Sequence, residues 1–341
     1  MKQSLLRTAK MIRGFELARR ATAGHLRVLA YHGVWTTPGF QFGNHLFISP
    51  EQFERRMLWV KKSRYAVLAL DEAIDALSTD KLRQDCVVIT IDDGWHSTYT
   101  CMLPVLESLG IPATVYVTTW YVDHRAPVVN VALNYVLQRT TVPSIRWRDR
   151  NGLPLGNSSQ REATADELRR RLQKLPTLPD RLEGLREICR LAEVPVEPWW
   201  SDGQFHLMTR EELGDAHRRG FDVQLHTHRH TSVASNIAAL ASEISENRLV
   251  LAEACGTDHF AHFCYPGGEY NPAAAGILIS AGIKSAMLCD LGLNAPGRDP
   301  YALRRFLDGR SVSDLEFEAY MSGALHFFHM VKAKIARSLG A

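Results

Sequence analysis

The sequence predicts an α/β protein built on parallel strands, and three features support that expectation. Short apolar runs of strand length alternate with segments of helix length. Several of the helix-length segments open on capping residues and close on glycine. Four of the apolar runs end in polar or glycine-rich punctuation, a rhythm of βα units rather than of hairpins.

In order, Arg27–Tyr31, "RVLAY", reads as a buried strand. Ser49 opens a helix that runs to about Lys62, with Pro50 in the first turn and Gln52 three residues after the cap. A strand over Tyr65–Leu70 and a helix from Asp71 follow. Cys86–Ile91, "CVVITI", is a strongly apolar strand that runs into Asp92-Asp93-Gly94. Residues 96–109 read as helix closed by Gly110, and Ala113–Val117 as the next strand.

The rhythm breaks between about 123 and 205. Asn151-Gly152 predicts a hairpin turn, Thr164 to Glu167 caps a charged helix, and a second helix lies among proline-rich loops. This stretch reads as a helical insertion over one end of the core, lining a groove or covering apolar surface. The alternation then resumes. Thr209 and Glu212 form a capping box, Gly220 ends that helix, and Phe221–Leu225 is a strand. A long helix over about 233–255, a strand over His259–Cys264 and a helix opened by Asn271-Pro272 follow. Lys284–Leu288 and Leu303–Leu307 are the last strands expected. The organisation is thus a basic helical segment over 1–26, a barrel-type domain over 27–310 and a helical tail over 311–341.

With 341 residues, 45% hydrophobic and 23% charged, the composition is that of an ordinary globular protein. A net charge of +3, with no long basic block and no recognition motif, argues against nucleic acid as a partner. The charge is uneven. Residues 2–20 carry Lys2, Arg7, Lys10, Arg13, Arg19 and Arg20 against Glu16 alone. The tail has Lys332, Lys334 and Arg337, with Leu325, Phe328, Val331, Ile335 and Leu339 at helical spacing. It reads as a basic amphipathic helix, packed on the domain or lying on a membrane surface. The six cysteines form no CxxC pair and read as core residues. No apolar core of a signal peptide and no run of roughly 18 apolar residues is found. The expected location is therefore cytoplasmic, with peripheral contact to the inner face of the membrane.

The chemistry collects where strands end. His32-Gly33 follows "RVLAY", Asp92-Asp93-Gly94 follows "CVVITI", and His226-Thr227-His228-Arg229-His230 follows "FDVQL". Pro266-Gly267-Gly268 follows "HFAHFCY". In a parallel barrel these loops converge on one face. Three histidines in five positions have two readings, a metal held by imidazoles or a polar loop. If a helical turn begins after Leu225, His226 and His230 face one side and His228 another. Asp92 and Asp93 face opposite ways on a strand, and Gly94 lets the backbone turn both carboxylates into one pocket. One carboxylate then completes a His-His-Asp set while the other takes a proton from water. Each piece alone has an ordinary reading: HxxxH arises by chance, DDG is often a turn, and a lone His32 is often a hydrogen-bonded loop residue. Their coincidence at strand ends favours the metal site.

Thr90 to Gly94, "TIDDG", is similar to the TFDDG motif of the polysaccharide deacetylase family, also called the NodB-homology or carbohydrate esterase family four domain. His226 to His230 resembles its H-[ST]-x-x-H motif, and Leu103–Val117 the segment between the two. The resemblance implies a distorted (β/α)7 barrel and a divalent metal, zinc above all, held by Asp93, His226 and His230. It implies Asp92 as general base, and hydrolysis of an N-acetyl group on an amino sugar of a polysaccharide, oligosaccharide or glycan precursor. A backbone N–H near Tyr265 is then a candidate donor to the oxyanion. The family's R-x-P motif is replaced here by Cys264-Tyr265-Pro266, so its arginine is missing and Arg305 is the candidate substitute. The C-terminal Leu-x-His motif is not evident. Tyr31-His32-Gly33 resembles the N-terminal Tyr-His element of the exopolysaccharide branch, which makes His32 the candidate acid. Trp95, Trp120, Trp199 and Trp200 are candidates to stack on sugar rings. The competing readings are a catalytically silent carbohydrate-binding homologue, an N-deformylase of a lipid-linked amino sugar, and a non-haem iron oxygenase.

Overall fold

The computed structural model of the chain describes residues 2–43, 45–79, 81–82, 85–148 and 151–330. Its ten strands are β1 (Leu26–Tyr31), β2 (Ala66–Val67), β3 (Cys86–Ile91), β4 (Thr114–Val117), β5 (Ser144–Ile145), β6 (Leu153–Pro154), β7 (Asp222–Leu225), β8 (His262–Cys264), β9 (Ser285–Met287) and β10 (Phe306–Leu307). Seven run side by side in the order β10-β1-β3-β4-β7-β8-β9, every pair parallel. β2 adds to the start of β3, pairing Ala66 with Cys86, on the edge that β4 takes over from Thr90 onward.

The seam between β9 and β10 is the distorted part of the barrel. Leu303 bridges Met287, and Leu288 N–H donates to Leu303 O at 2.8 Å. Phe306 and Leu307 then pair with Leu29 and Ala30 of β1. One short segment therefore touches both ends of the sheet, and the expected (β/α)7 barrel is the fold observed.

Both faces of the strands are covered, which is why β1 and β3 are buried at every position and show no polar alternation. Val28, Val88, Tyr116, Cys264, Met287 and Leu303 belong to one apolar cluster with Leu26 and Cys86. Leu29, Ile89, Val115 and Phe263 pack instead with the surrounding helices. Ser49 caps the helix Pro50–Lys62 by accepting from Gln52 N–H, and the capping box Thr209–Glu212 opens Arg210–Arg218, both as expected.

Several elements are shorter than the sequence predicts. The strand expected over Tyr65–Leu70 is only Ala66–Val67, because Leu70 already begins the next helix. Thr164 does not cap its helix. Asn157 does, over Ser158–Gln173, and the Thr164 hydroxyl donates from inside that helix to Pro154 O at 2.8 Å. The insertion has an apolar core of its own, in which Trp147, Leu168, Leu185, Ile188 and Trp199 join Trp35, Phe42, Phe47 and Trp95 from the barrel loops. It is thus packed onto the rim where the strands end.

Two short helices, Lys2–Met11 and Gly14–Ala21, precede β1. Leu6 is buried, and Gln3 donates to Ser313 and Glu316 at the start of the helix Asp314–Met321. In the expected tail helix Leu325 is buried and Phe328 half-buried, while Val331, Ile335 and Leu339 lie outside the described residues. No helix among the described residues is long and apolar enough to cross a membrane.

Candidate active site

Asp92 and Asp93 leave β3 at the barrel rim, and the backbone turns sharply there. Asp93 has φ 70° and Gly94 φ 82°, both in the left-handed region. A Cβ on Gly94 would come within 2.9 Å of Val117 Cγ1, so glycine serves the turn and the close approach to β4 together. The turn puts both carboxylates on the same side of the rim, as expected of this glycine. Both are buried.

The histidine loop achieves its convergence differently from the expected helical turn. Residues 226–230 form no helix. Thr227 (φ 62°) and His230 (φ 55°) instead take left-handed conformations, which bring the His226 and His230 rings to 4.9 Å between centroids. Three of the six non-glycine residues with positive φ among the described residues thus sit in this one site, where the surrounding contacts must hold such strain. His228 turns away, as expected, with Nδ1 2.9 Å from Thr119 Oγ1. The loop is held by two residues that the sequence reading passed over. Asn247 Oδ1 accepts from His226 N–H at 2.9 Å, while its amide donates to Val117 O and Thr119 Oγ1. Glu243 accepts from Arg229 N–H at 2.7 Å. Their only sequence signal is a pair of polar residues four apart on the buried face of the helix Leu240–Cys255.

Asp93 Oδ1 lies 3.2 Å from His226 Nε2 and 3.3 Å from His230 Nε2. Asp93 Oδ2 accepts from Trp95 Nε1 at 2.9 Å. His226 Nδ1 is 2.8 Å from Cys264 O, which can only accept, so that nitrogen carries the proton. In the tautomer this bond selects, Nε2 points a lone pair at a carboxylate oxygen. Oδ1 is buried and has no well-formed hydrogen bond of its own. Lone pair against lone pair repels unless a proton or a cation lies between. A carbonyl fixing the far nitrogen of a ligating histidine is the usual support around a metal, and two imidazoles with one carboxylate suit a divalent cation. Although burial pushes the Asp93 carboxyl up, the two imidazoles, when protonated and donating to it instead of ligating, outweigh burial and hold its pKa well below the usual range. The His230 side chain is 45% exposed, so the trio opens to solvent on that side.

Asp92, His226 and Cys264 form a second convergent group, but it suits a metal less well. The Arg305 guanidinium already lies 3.1 Å from Cys264 Sγ and pairs with Asp92, and a second cation there would face it unscreened. Burial also pushes the Cys264 thiol well up, so it stays protonated.

Arg305, the candidate substitute for the missing motif arginine, lies against Asp92. Its Nη1 donates to Asp92 Oδ1 and its Nη2 to Asp92 Oδ2, both at 2.7 Å, a planar two-toothed pair. Nη1 also reaches Thr90 Oγ1 and Nε donates to Leu288 O. Burial favours a protonated Asp92, but Arg305 overrides it and keeps the carboxyl below its usual pKa, hence ionised at neutral pH.

His32 sits on the same rim, its Nε2 3.7 Å from Asp92 Oδ2. Burial pushes its pKa down more than Asp92 and Asp93 pull it up, so the ring rests neutral. Tyr31 beside it is structural. Its hydroxyl donates to Asp308 Oδ2 at 3.0 Å.

Other expectations need correction. The Tyr265 N–H is not a free oxyanion donor, because it donates to Met287 O at 3.1 Å, and the Tyr265 hydroxyl donates to Tyr301 O. Pro266 is buried in the turn after β8. Both support the rim. Trp95 is buried, braces Asp93 and packs 5.3 Å from the Phe47 ring, so no sugar can stack on it. Trp199 is buried in the insertion core. Trp120 is only half-buried, and with Arg229, Asn130 and Gln173 it lines a groove of about 370 Å³ between the insertion and the histidine loop. If Trp95 orients a metal ligand, Trp95→Phe should weaken zinc binding by about 10- to 100-fold with the fold intact. Competition with a fluorescent chelator measures this.

A barrel with a carboxylate pair and two histidines at the ends of its strands defines a class, and sequence comparison agrees with it. The chain belongs to the polysaccharide deacetylase family, whose family model matches residues 79–169 and 195–286. The unmatched residues between these blocks, 170–194, run from the end of the insertion helix Ser158–Gln173 through the helix Leu178–Leu191. Bacillus subtilis YxkH, named for the same family, is 33% identical over 101 residues, which is 29% of this chain and 34% of YxkH. The match therefore spans about a third of that curated relative. Among solved structures, the Streptococcus pyogenes deacetylase PplD aligns with a TM-score of 0.57 at 15% identity, covering 87% of this chain and 98% of PplD. IcaB from Ammonifex degensii aligns at 0.54 and 18%, covering 87% and 97%. A de-N-acetylase from Aggregatibacter actinomycetemcomitans aligns at 0.53 and 16%, covering 87% and 99%. At these identities the likeness is one of fold.

Proposed function

We propose that this protein is a metal-dependent carbohydrate N-deacetylase, a hydrolase that cleaves the N-acetyl amide of an amino sugar in a polysaccharide or its precursor. The observation that supports this most is the meeting of Asp93 Oδ1 with the Nε2 atoms of His226 and His230, beside an Asp92 that Arg305 keeps ionised. Membership of the polysaccharide deacetylase family supports the same reaction. Asp93, His226 and His230 would hold the cation, with zinc the best match to this donor set. Once bound, a divalent cation supplies Lewis acidity, polarising the acyl carbonyl and making water a better nucleophile near neutral pH.

The chain's own groups do the rest. Asp92, ionised, accepts the proton of the attacking water. His32 is neutral at rest, so it must gain a proton before it can protonate the departing amine. Asp92, once it has taken the proton of the attacking water, is the acid beside it, with Oδ2 3.7 Å from His32 Nε2. Arg305 fixes the orientation of Asp92 through both oxygens, leaving one carboxylate geometry for the proton transfer. The ionised Asp92 and the braced Arg305 favour an enzyme over a silent carbohydrate-binding homologue. Alternating strands and helices and the second aspartate fit poorly with an iron oxygenase. The proposed setting is surface-polysaccharide assembly, with the barrel over 27–310 as the catalytic domain.

The test is amine release from N-acylated amino sugars, with zinc and with chelator. Dialysis against chelator should remove activity, and added zinc should restore it. Activity that survives stripping of all metal would end the metal reading, and release of formate without acetate would make the enzyme a deformylase. Trp120, half-buried and hydrogen-bonded through its backbone N–H to His228 O in the histidine loop, is proposed to stack on a neighbouring sugar. Trp120→Ala should raise KM for an oligosaccharide about 3- to 10-fold with little change in kcat.

A further inference from the structure

We propose that the end of the barrel opposite the active-site rim is a docking surface for an anionic phospholipid membrane. Three observations meet there. The helices Lys2–Met11 and Gly14–Ala21 join at a corner where Arg13 has φ 61°, and the apolar residues of that corner face solvent. Met11 is 76% exposed, Ile12 71%, Leu17 63% and Leu5 49%. Phe327 and Met330 are also exposed, on a segment that starts where Gly323 meets Thr22. Six of the nine large apolar side chains exposed among the described residues thus belong to these two neighbouring segments. An apolar patch concentrated in this way on a water-soluble surface marks a place of contact.

Beside the corner lies a cavity of about 790 Å³ whose wall carries Lys10, Arg13, Arg19, Lys62 and Arg64 against Glu16 and Glu318. Both carboxylates are already used, Glu16 by Arg19 and Glu318 by Lys10. Arg13, Lys62 and Arg64 make no ion pair among the described residues and are exposed. The cavity's apolar wall is aromatic, formed by Phe15, Trp59 and Tyr65. Unspent positive charge over aromatic rings, next to apolar side chains that can enter the acyl boundary, matches the chemistry of an anionic headgroup with its chains. Ser63 to Tyr65 lead into β2, so this cavity is at the end where strands begin. A protein docked this way turns its active-site mouth away from the bilayer, toward glycan that projects from the surface. The surface does not depend on the assigned chemistry.

Co-sedimentation of the full-length protein with vesicles tests the proposal. The protein should pellet with phosphatidylcholine vesicles that contain phosphatidylglycerol, and be released by salt. With phosphatidylcholine alone it should stay in solution. The triple variant Arg13→Ala, Lys62→Ala, Arg64→Ala should bind on the order of 100-fold more weakly. Met11→Ser with Ile12→Ser should also weaken binding, with melting temperature and deacetylation of a soluble substrate unchanged. Failure to pellet with the anionic vesicles, or equal binding by the triple variant, overturns the proposal. So does a concentration-dependent dimer that Met11→Ser abolishes, because a second copy would then cover this surface.

Discussion

Asp92→Asn should lower turnover by about 10²- to 10⁴-fold, the range typical of losing a general base, while the protein still binds zinc. The separation of roles follows from the geometry. Asp93, not Asp92, faces the two imidazoles, so an amide at position 92 leaves the proposed cation ligands in place. Asparagine still accepts a hydrogen bond from Arg305 but no longer neutralises it. A drop in melting temperature is therefore expected, and activity must be assayed well below that temperature. Zinc content by atomic absorption and initial rates on the same sample give the answer. A variant that keeps more than a tenth of wild-type kcat would show that Asp92 is not the base.

Arg305→Met should cost about 3–5 kcal/mol of stability, because it strands a carboxylate in the barrel interior. The pH dependence changes sign with it. In the wild type Arg305 depresses the Asp92 pKa, so this group contributes stability above the unfolded carboxyl value that is lost as pH falls through the folded one. Without Arg305, burial, the largest influence on this carboxyl, is opposed only by His32 and His226 and is expected to raise that pKa. Stability is then lost as pH rises through the new value. The acid limb of kcat/KM should move to higher pH in parallel. The double variant Asp92→Asn, Arg305→Met should be less destabilised than the two single effects added together, since neither charge is left alone. Strict additivity would mean that the pair is not coupled. Chemical denaturation across a pH series measures all of these.

The parts of the site that the sequence displayed are local ones. "CVVITI" running into Asp92-Asp93-Gly94, and "FDVQL" into the histidines, each join an apolar run to its punctuation within a dozen residues. The barrel follows from the same rhythm. What stayed hidden depends on distant contacts or on backbone conformations that residue type does not announce. Arg305 and Asp92 are 213 positions apart, and only the seam at β10 brings them together. The left-handed Thr227 and His230 replaced an expected helical turn, because a β-branched threonine does not signal positive φ and a histidine signals it only weakly. Trp95 looked like a sugar platform because an indole suits both a surface and a core, and its hydrogen bond to Asp93 decides between them. Thr164 matched a cap pattern, yet the chain had already become helical at Ser158.

The seam at β10 has a consequence for how this enzyme can be made and cut. The recognisable family signature ends at residue 286, and a fragment trimmed to those borders keeps Asp92, Asp93, His226 and His230. It loses β1 and β10, and with them His32 and Arg305. Such a fragment is expected to be inert whatever metal is added, because Asp92, the proposed base, is stripped of its counter-charge. During synthesis the same dependence delays completion of the centre, since the guanidinium that pairs with Asp92 is translated 213 residues after that carboxylate.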